Sequence, residues 1–265
     1  MKIIIPTHEN HNGDTFRELV VMWKEKGLCD IEYKNVRNVW LNNYEDILLY
    51  DRPTLDYFRG QKFNFVLFGN TVPLIPNSSS WIFWARRPRL IEDIKKQRKG
   101  WESRNIESIF LGKVENPIQL KKRTPLNWSE SIEKFEMPVS QGYPTISYKY
   151  SQEEYLKLLL KSKYGLCLPG YGPKCNREIE LLGLGVVPIF TPGVDVTYYN
   201  PLIENKHYIK VDRPEEIKEI IKNISPNQWA ELSNNGIRWY EENCSVKGSF
   251  KTTCNILKKY NLLEK

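Results

Sequence analysis

A chain of 265 residues, 40% hydrophobic and 27% charged, has the balance of a globular protein with a sizeable core rather than a disordered one. No run approaches the roughly eighteen apolar residues of a membrane span, and the five scattered cysteines form no C-x-x-C pair, so a metal-binding or disulfide framework is not indicated and a reducing compartment is expected. The excess of 39 Lys and Arg over 32 Asp and Glu gives a net charge of +7, which fits either an anionic partner or a solvated cationic face.

In chain order, the first apolar run (2–5) is too short for a signal peptide and is broken by Pro6; it reads as a strand, and a cytoplasmic location is expected. The loop after it, THENHNGD, holds His8, His11 and Asp14. Strand patterns recur at 36–41, 46–50 and 63–68, with Asp51 directly after the second of these. Between Arg86 and Arg104 eight basic and three acidic residues place +5 in nineteen positions. A fresh strand at 108–111 leads to Gly112 and Lys113, and the proline-containing stretch 124–146 reads as a loop-rich insertion. Ser151 and Glu154 form a capping box for a helix that precedes a strand at 164–168, and a further strand falls at 186–190. From Pro214 the pattern is helical, with Ile217, Ile220, Ile221 and Ile224 on one face.

This alternation predicts a parallel α/β architecture, with a boundary near residue 104 between an N-terminal unit (1–104) and a C-terminal unit (105–265). Ligands of open α/β sheets bind at the carboxyl ends of strands, which draws attention to the loop after 164–168. There Gly170, Tyr171 and Gly172 form a turn whose glycines allow close backbone approach or positive φ. Asn176 is suited to cap the helix that follows, whose free N–H groups favour a phosphate. Lys174 and Arg177 stand where they can neutralise a diphosphate, and Glu180, one turn deeper, can accept hydrogen bonds from a ribose diol. Spacing alone leaves open an ordinary Arg177–Glu180 surface pair beside a glycine turn.

The segment from Tyr155 to Phe190 resembles the core motif of exostosin-type glycosyltransferases. Ser162, Lys163 and Tyr164 match its lead, Cys167, Leu168, Pro169 and Gly170 its turn, and Arg177, Glu180, Leu182, Gly185, Val187 and Pro188 the remainder in register. The IFLGK stretch (109–113) resembles the strand that opens the family's nucleotide-binding half. RGQKFNFVLFGN (59–70) faintly resembles a further block in which Gln61, Lys62 and Phe63 replace the family's polar residues. The resemblance implies a GT-B fold, two Rossmann-like domains facing across a cleft. It implies that Arg177 binds the diphosphate and Glu180 the ribose of a nucleotide sugar, UDP-linked by preference, with a glycan as acceptor. The absence of a D-x-D motif argues against the metal-dependent plan, so neither metal nor cofactor is expected beyond the donor itself. Family members are usually membrane-anchored Golgi enzymes; without that anchor this chain looks like a bacterial or large-virus relative, placed in the host cytoplasm if viral.

An inverting transferase needs a base for the acceptor hydroxyl. Asp51 ends a strand, though before Pro53 it also suits a turn; Asp14 is an alternative that also reads as a helix cap; His8 and His11 titrate near neutrality, and His-x-x-His without a third ligand is a poor metal signal. Lys113 either reaches the donor phosphates or is solvated, and Trp81 and Trp84 either stack on an acceptor or fill the core. The competing readings are a basic protein that binds single-stranded nucleic acid through the 81–101 stretch, and a catalytically inactive relative that binds sugar nucleotides.

Overall fold

In the computed structural model the described residues are 1–7, 16–42, 46–50, 63–71, 75–140 and 149–263. The β-branched run Ile3-Ile4-Ile5 forms β1 (Lys2–Pro6), buried after its first residue. Helix α1 (Arg17–Glu25) buries Leu19, Val20, Met22 and Trp23 and leads to β2 (Asp30–Lys34), parallel to β1. Only residues 35–38 separate β2 from β3 (Val39–Leu41). So short a link cannot make a parallel crossover, and β3 runs antiparallel to β1. A second reversal into β4 (Ile47–Tyr50) restores the direction of β1, and β5 (Phe65–Phe68) and β6 (Ser78–Ser80) continue in parallel. The first sheet is therefore ordered β2-β1-β3-β4-β5-β6, and β3 departs from the purely parallel arrangement.

Past α2 (Pro88–Ile94) the second sheet is built from β7 (Ile106–Leu111), β8 (Lys134–Glu136), β9 (Ser162–Cys167), β10 (Val187–Phe190) and β11 (Ile209–Lys210). All pairs are parallel and the order is β11-β10-β9-β7-β8. Its crossovers carry α3 (Pro117–Arg123), α4 (Gln152–Leu160) with the Ser151–Glu154 capping box, and α5 (Asn176–Leu184). Strand β8 lies inside the stretch read as loop-rich. Helices α6 (Glu216–Asn223), α7 (Pro226–Asn243) and α8 (Val246–Lys259) complete the chain. Among the described residues no helix is long and apolar enough to cross a membrane.

Helix α8 returns to the first sheet. Its Ser249 and Thr253 hydroxyls accept the indole N–H groups of Trp23 and Trp81 at 2.9 and 2.8 Å, and Phe250 packs edge-on to Trp23. One apolar core thus runs from Ile3 and Trp23 through Trp81, Trp84 and Ile91 to Leu181, Leu182, Tyr240 and Leu257. Trp81 and Trp84, 0% and 1% exposed, belong to this core and offer no face to a sugar or base.

Several side chains of the basic segment 86–104 pair within the chain. Arg89 pairs with Glu25, Lys96 with Asp93, and Lys95 and Arg98 with Glu241. Arg104 is buried at the start of the second sheet, where Nε donates to Lys99 O, Nη1 to Ser162 O and Nη2 to Leu184 O at 2.7–2.9 Å. Arg86, Arg87, Arg89, Lys96 and Lys99 remain exposed, so the segment keeps a cationic face, but Trp81 and Trp84 are buried and do not flank it.

Candidate functional site

The second sheet has a topological switch point. From β7 the chain steps to β8 on one side and then to β9 on the other, so the loops after β7 and β9 diverge and open a crevice at their carboxyl ends. Two guanidinium groups meet there. Arg177, in the first turn of α5, donates from Nη2 to Leu111 O at 2.8 Å and lies over the Phe110 ring at 4.3 Å. Arg123, the last residue of α3, donates from Nε to Pro169 O and from Nη1 to Lys113 O, both at 2.7 Å. Arg177 thus reaches back to β7 from the β9 side, while Arg123 reaches to the loop after β9 from the β7 side. Gly112 is what admits Arg177: a Cβ there would lie 2.8 Å from its Nη2.

Burial lowers the pKa of Arg123 to about 10, and the neighbouring Arg177 cation acts in the same direction. The Arg177 Nε–H is buried and has no hydrogen-bond partner among the described residues. A buried donor without an acceptor costs about 1–3 kcal/mol, which a ligand oxygen would remove.

The glycine turn lies against this pair. Neither Gly170 nor Gly172 has positive φ; both are required by close approach. A Cβ on Gly170 would sit 2.5 Å from Cys175 Sγ and 3.5 Å from Arg123 Nη2, and one on Gly172 would strike the Asn70 amide. Asn70 follows β5, so the carboxyl edges of the two sheets meet at this turn. Its Oδ1 is another buried atom without a partner among the described residues, as are Glu178 Oε1 and Tyr198 Oη. The Asn176 amide donates to Trp84 O at 2.9 Å and adds a second tie between the halves.

Several predicted side chains stand elsewhere than their spacing suggested. Cys175, not Asn176, caps α5, in a box with Glu178, whose Oε2 accepts the Cys175 N–H at 2.6 Å. Lys174 is not at the mouth: it is 1% exposed, donates to Thr197 O at 3.0 Å and lies over the Tyr198 ring at 4.8 Å, and burial lowers its pKa to about 8. Lys113 is paired with Glu115 at 2.5 Å. Tyr171 is 47% exposed at the tip of the turn, where Lys122 Nζ donates to its carbonyl at 3.2 Å.

Glu180 is 2% exposed; its Oε1 accepts the Arg86 N–H at 3.0 Å and the Gln152 amide at 3.1 Å, and the Tyr155 hydroxyl also bonds to the carboxylate. Burial raises its pKa. Glu180→Ala is expected to lower the unfolding free energy by ~2–3 kcal/mol, since it strips the acceptor from three donors, whereas Glu180→Gln keeps a carbonyl oxygen there and should cost about 1 kcal/mol. Equal losses in urea unfolding would show that the acceptor is not what matters.

Asp51, Asp14, His8 and His11 lie outside the described residues. The strands that lead to them, β1 and β4, end on the same edge of the first sheet, since β3 is antiparallel to both. Arg123, Asn70 and Tyr198 were not found from the sequence. The run Lys121-Lys122-Arg123 in the last turn of a crossover helix was the one signal available for Arg123.

No protein-family model matches the chain, and no curated protein matches it. Among solved structures, the C-terminal domain of a glycosyl transferase group 1 family protein from Francisella tularensis is similar at 11% identity and TM-score 0.34, over 57% of this chain and 89% of that one. A glycosyltransferase from Rickettsia africae is similar at 9% identity and TM-score 0.46, over 97% of each chain. The structure itself defines an α/β protein of two sheets whose carboxyl edges meet at the glycine turn, beside the buried Arg123 and Arg177.

Proposed function

We propose that the chain is a GT-B glycosyltransferase that moves a sugar from a nucleoside-diphosphate donor, by preference UDP-linked, to a glycan hydroxyl. The observation that carries this reading is the pair Arg123 and Arg177 at the β7/β9 switch point, with a buried Arg177 N–H lacking an acceptor beside the start of α5. Two desolvated cations, one of them with an unmet N–H, next to a helix N-terminus, form a receptor for a compact multivalent anion. A single-stranded nucleic acid would instead need exposed aromatic faces along a cationic track, and Trp81 and Trp84 beside the basic segment are buried.

In this reading the diphosphate lies between the two guanidinium groups and the glycine turn. Glu180 accepts the ribose diol in exchange for the Gln152 amide. The acceptor oxygen attacks the anomeric carbon as the bond to the diphosphate oxygen breaks, and the electron pair leaves with the diphosphate, whose growing charge the arginines and the α5 N–H groups stabilise. The acceptor proton passes to a base on the N-terminal half, for which Asp51, Asp14 and His8 are the candidates. With cations supplied by side chains, no metal is required.

Calorimetric titration with UDP and with GDP, each with EDTA present, tests this. Micromolar binding of one nucleotide is expected. Failure of both to bind, with tight salt-sensitive binding of an oligonucleotide run in parallel, would sink the reading.

A further inference from the structure

On the donor-site reading above, we propose that Glu178 is the resident counter-ion of the empty crevice, and that entry of the diphosphate drives a proton onto its carboxyl group. Glu178 is 0% exposed, and the capping bond to Cys175 N–H occupies only Oε2. Among the described residues no hydrogen-bond donor reaches the remaining oxygen, Oε1, which is buried.

The groups that face this carboxyl are Arg177 on its own helix, Arg123 from α3, the thiols of Cys175 and of Cys167 at the end of β9, and the Tyr198 phenol from the loop after β10. Burial pushes both thiols and the phenol up, so they stay neutral and the two guanidinium groups are the charges that matter. Without ligand, one carboxylate offsets part of the charge of two buried arginines.

A diphosphate on the same arginines takes over that role and adds like charge beside Glu178. The carboxylate then loses its justification for being ionised in a buried place. A proton taken from solvent neutralises it and turns the orphan oxygen into an O–H donor. In the empty site burial has already raised the Glu178 pKa to about 7, against the opposing pull of Arg177 and Arg123. The sign follows: affinity is greatest below that value and falls as pH rises through and above it. The slope is up to about tenfold per pH unit until the higher pKa of the bound state is passed. The terminal phosphate of a free nucleotide titrates near pH 6, below this window, and contributes little within it.

The test is titration of the intact wild-type chain with UDP and GDP at about pH 8, in buffers of low and high ionisation enthalpy, repeated between about pH 7 and pH 9. Uptake of roughly half a proton or more per nucleotide is expected, with affinity falling ~5–10-fold across the range. Glu178→Gln, which keeps an acceptor for Cys175 N–H, should bind without proton uptake and with a flat pH profile. Tight nucleotide binding by wild type with no proton uptake overturns the inference and leaves the donor site standing. Failure of both nucleotides to bind overturns the donor site and this inference together. Proton uptake that persists in Glu178→Gln also overturns the inference, the proton then belonging to a group such as Lys174, whose pKa of about 8 falls in the same window. If Glu178→Gln does not fold, Lys174→Met decides, since its uptake should match wild type if Glu178 takes the proton and vanish if Lys174 does.

Discussion

Arg177→Ala is expected to weaken nucleotide binding by ~100-fold or more, yet to leave the unfolding free energy within about 1 kcal/mol of wild type. The two effects separate because the side chain is poorly used by the empty protein. Its guanidinium is desolvated, one buried N–H has no acceptor, and a second buried cation stands beside it. Removing it forfeits the bond to Leu111 O, the packing on Phe110 and part of the counter-charge of Glu178. It also relieves repulsion with Arg123 and an unmet donor, and Glu178 takes up a proton at its raised pKa in place of the lost charge. In the complex the balance reverses. Charge-assisted bonds to a diphosphate contribute roughly 3 kcal/mol or more when desolvated, and each 1.4 kcal/mol is about tenfold in affinity. Arg177→Lys should recover little, because a single ammonium cannot span the Leu111 carbonyl and a phosphate oxygen as a planar fork does. Calorimetry and urea unfolding on the same preparations check both halves. A variant that unfolds easily would make Arg177 a structural residue, and one that binds like wild type would remove it from the site.

The opposite pattern is expected at Arg104. Arg104→Met should lower the unfolding free energy by ~3–5 kcal/mol, because buried carbonyls lose their donors. This side chain is 3% exposed, and each of its bonds goes to a different backbone segment: Lys99 in the connection, Ser162 at the start of β9, Leu184 at the end of α5. Its plane also lies over the Trp229 ring at 5.1 Å. Burial lowers its pKa to about 10, and the bonds to carbonyl oxygens are what keep so desolvated a cation in place. Methionine fills similar volume but donates nothing. Lysine offers one point of charge for three diverging acceptors, so Arg104→Lys should also be destabilising. Denaturant unfolding of the three proteins decides; a loss below about 1 kcal/mol for Arg104→Met would show that the carbonyls find other partners.

The contrast between these arginines shows what kind of information each level carries. In sequence both are cations in basic surroundings, and only Arg177, through its motif, was separable as a candidate ligand residue. Arg104 looked like the end of the basic 86–104 segment; the fold makes it a bracket. Lys174 looked like the equal of Arg177, three residues away on the same loop and helix, but the chain turns at Cys175 and directs it under the 191–199 segment.

Local patterning determined the main strand runs at 2–5, 46–50, 63–68, 108–111, 164–168 and 186–190, the Ser151 capping box, and the alternation that makes an α/β protein. Each depends on residues within a few positions of one another, through side-chain periodicity and satisfaction of backbone groups at helix ends. The polar strands β2 and β6 carried no such signal, because apolar runs mark buried strands and these are edge strands. The direction of β3 was set by a link too short to cross over. Tertiary structure alone decided the convergence of Arg123, Arg177, Glu178, Asn70 and Tyr198. Strand order determines which loops share an edge: the jump from β8 back across β7 to β9 sets α3 and α5 beside one another, and the packing of the two sheets brings in Asn70, so that side chains from four separate segments converge.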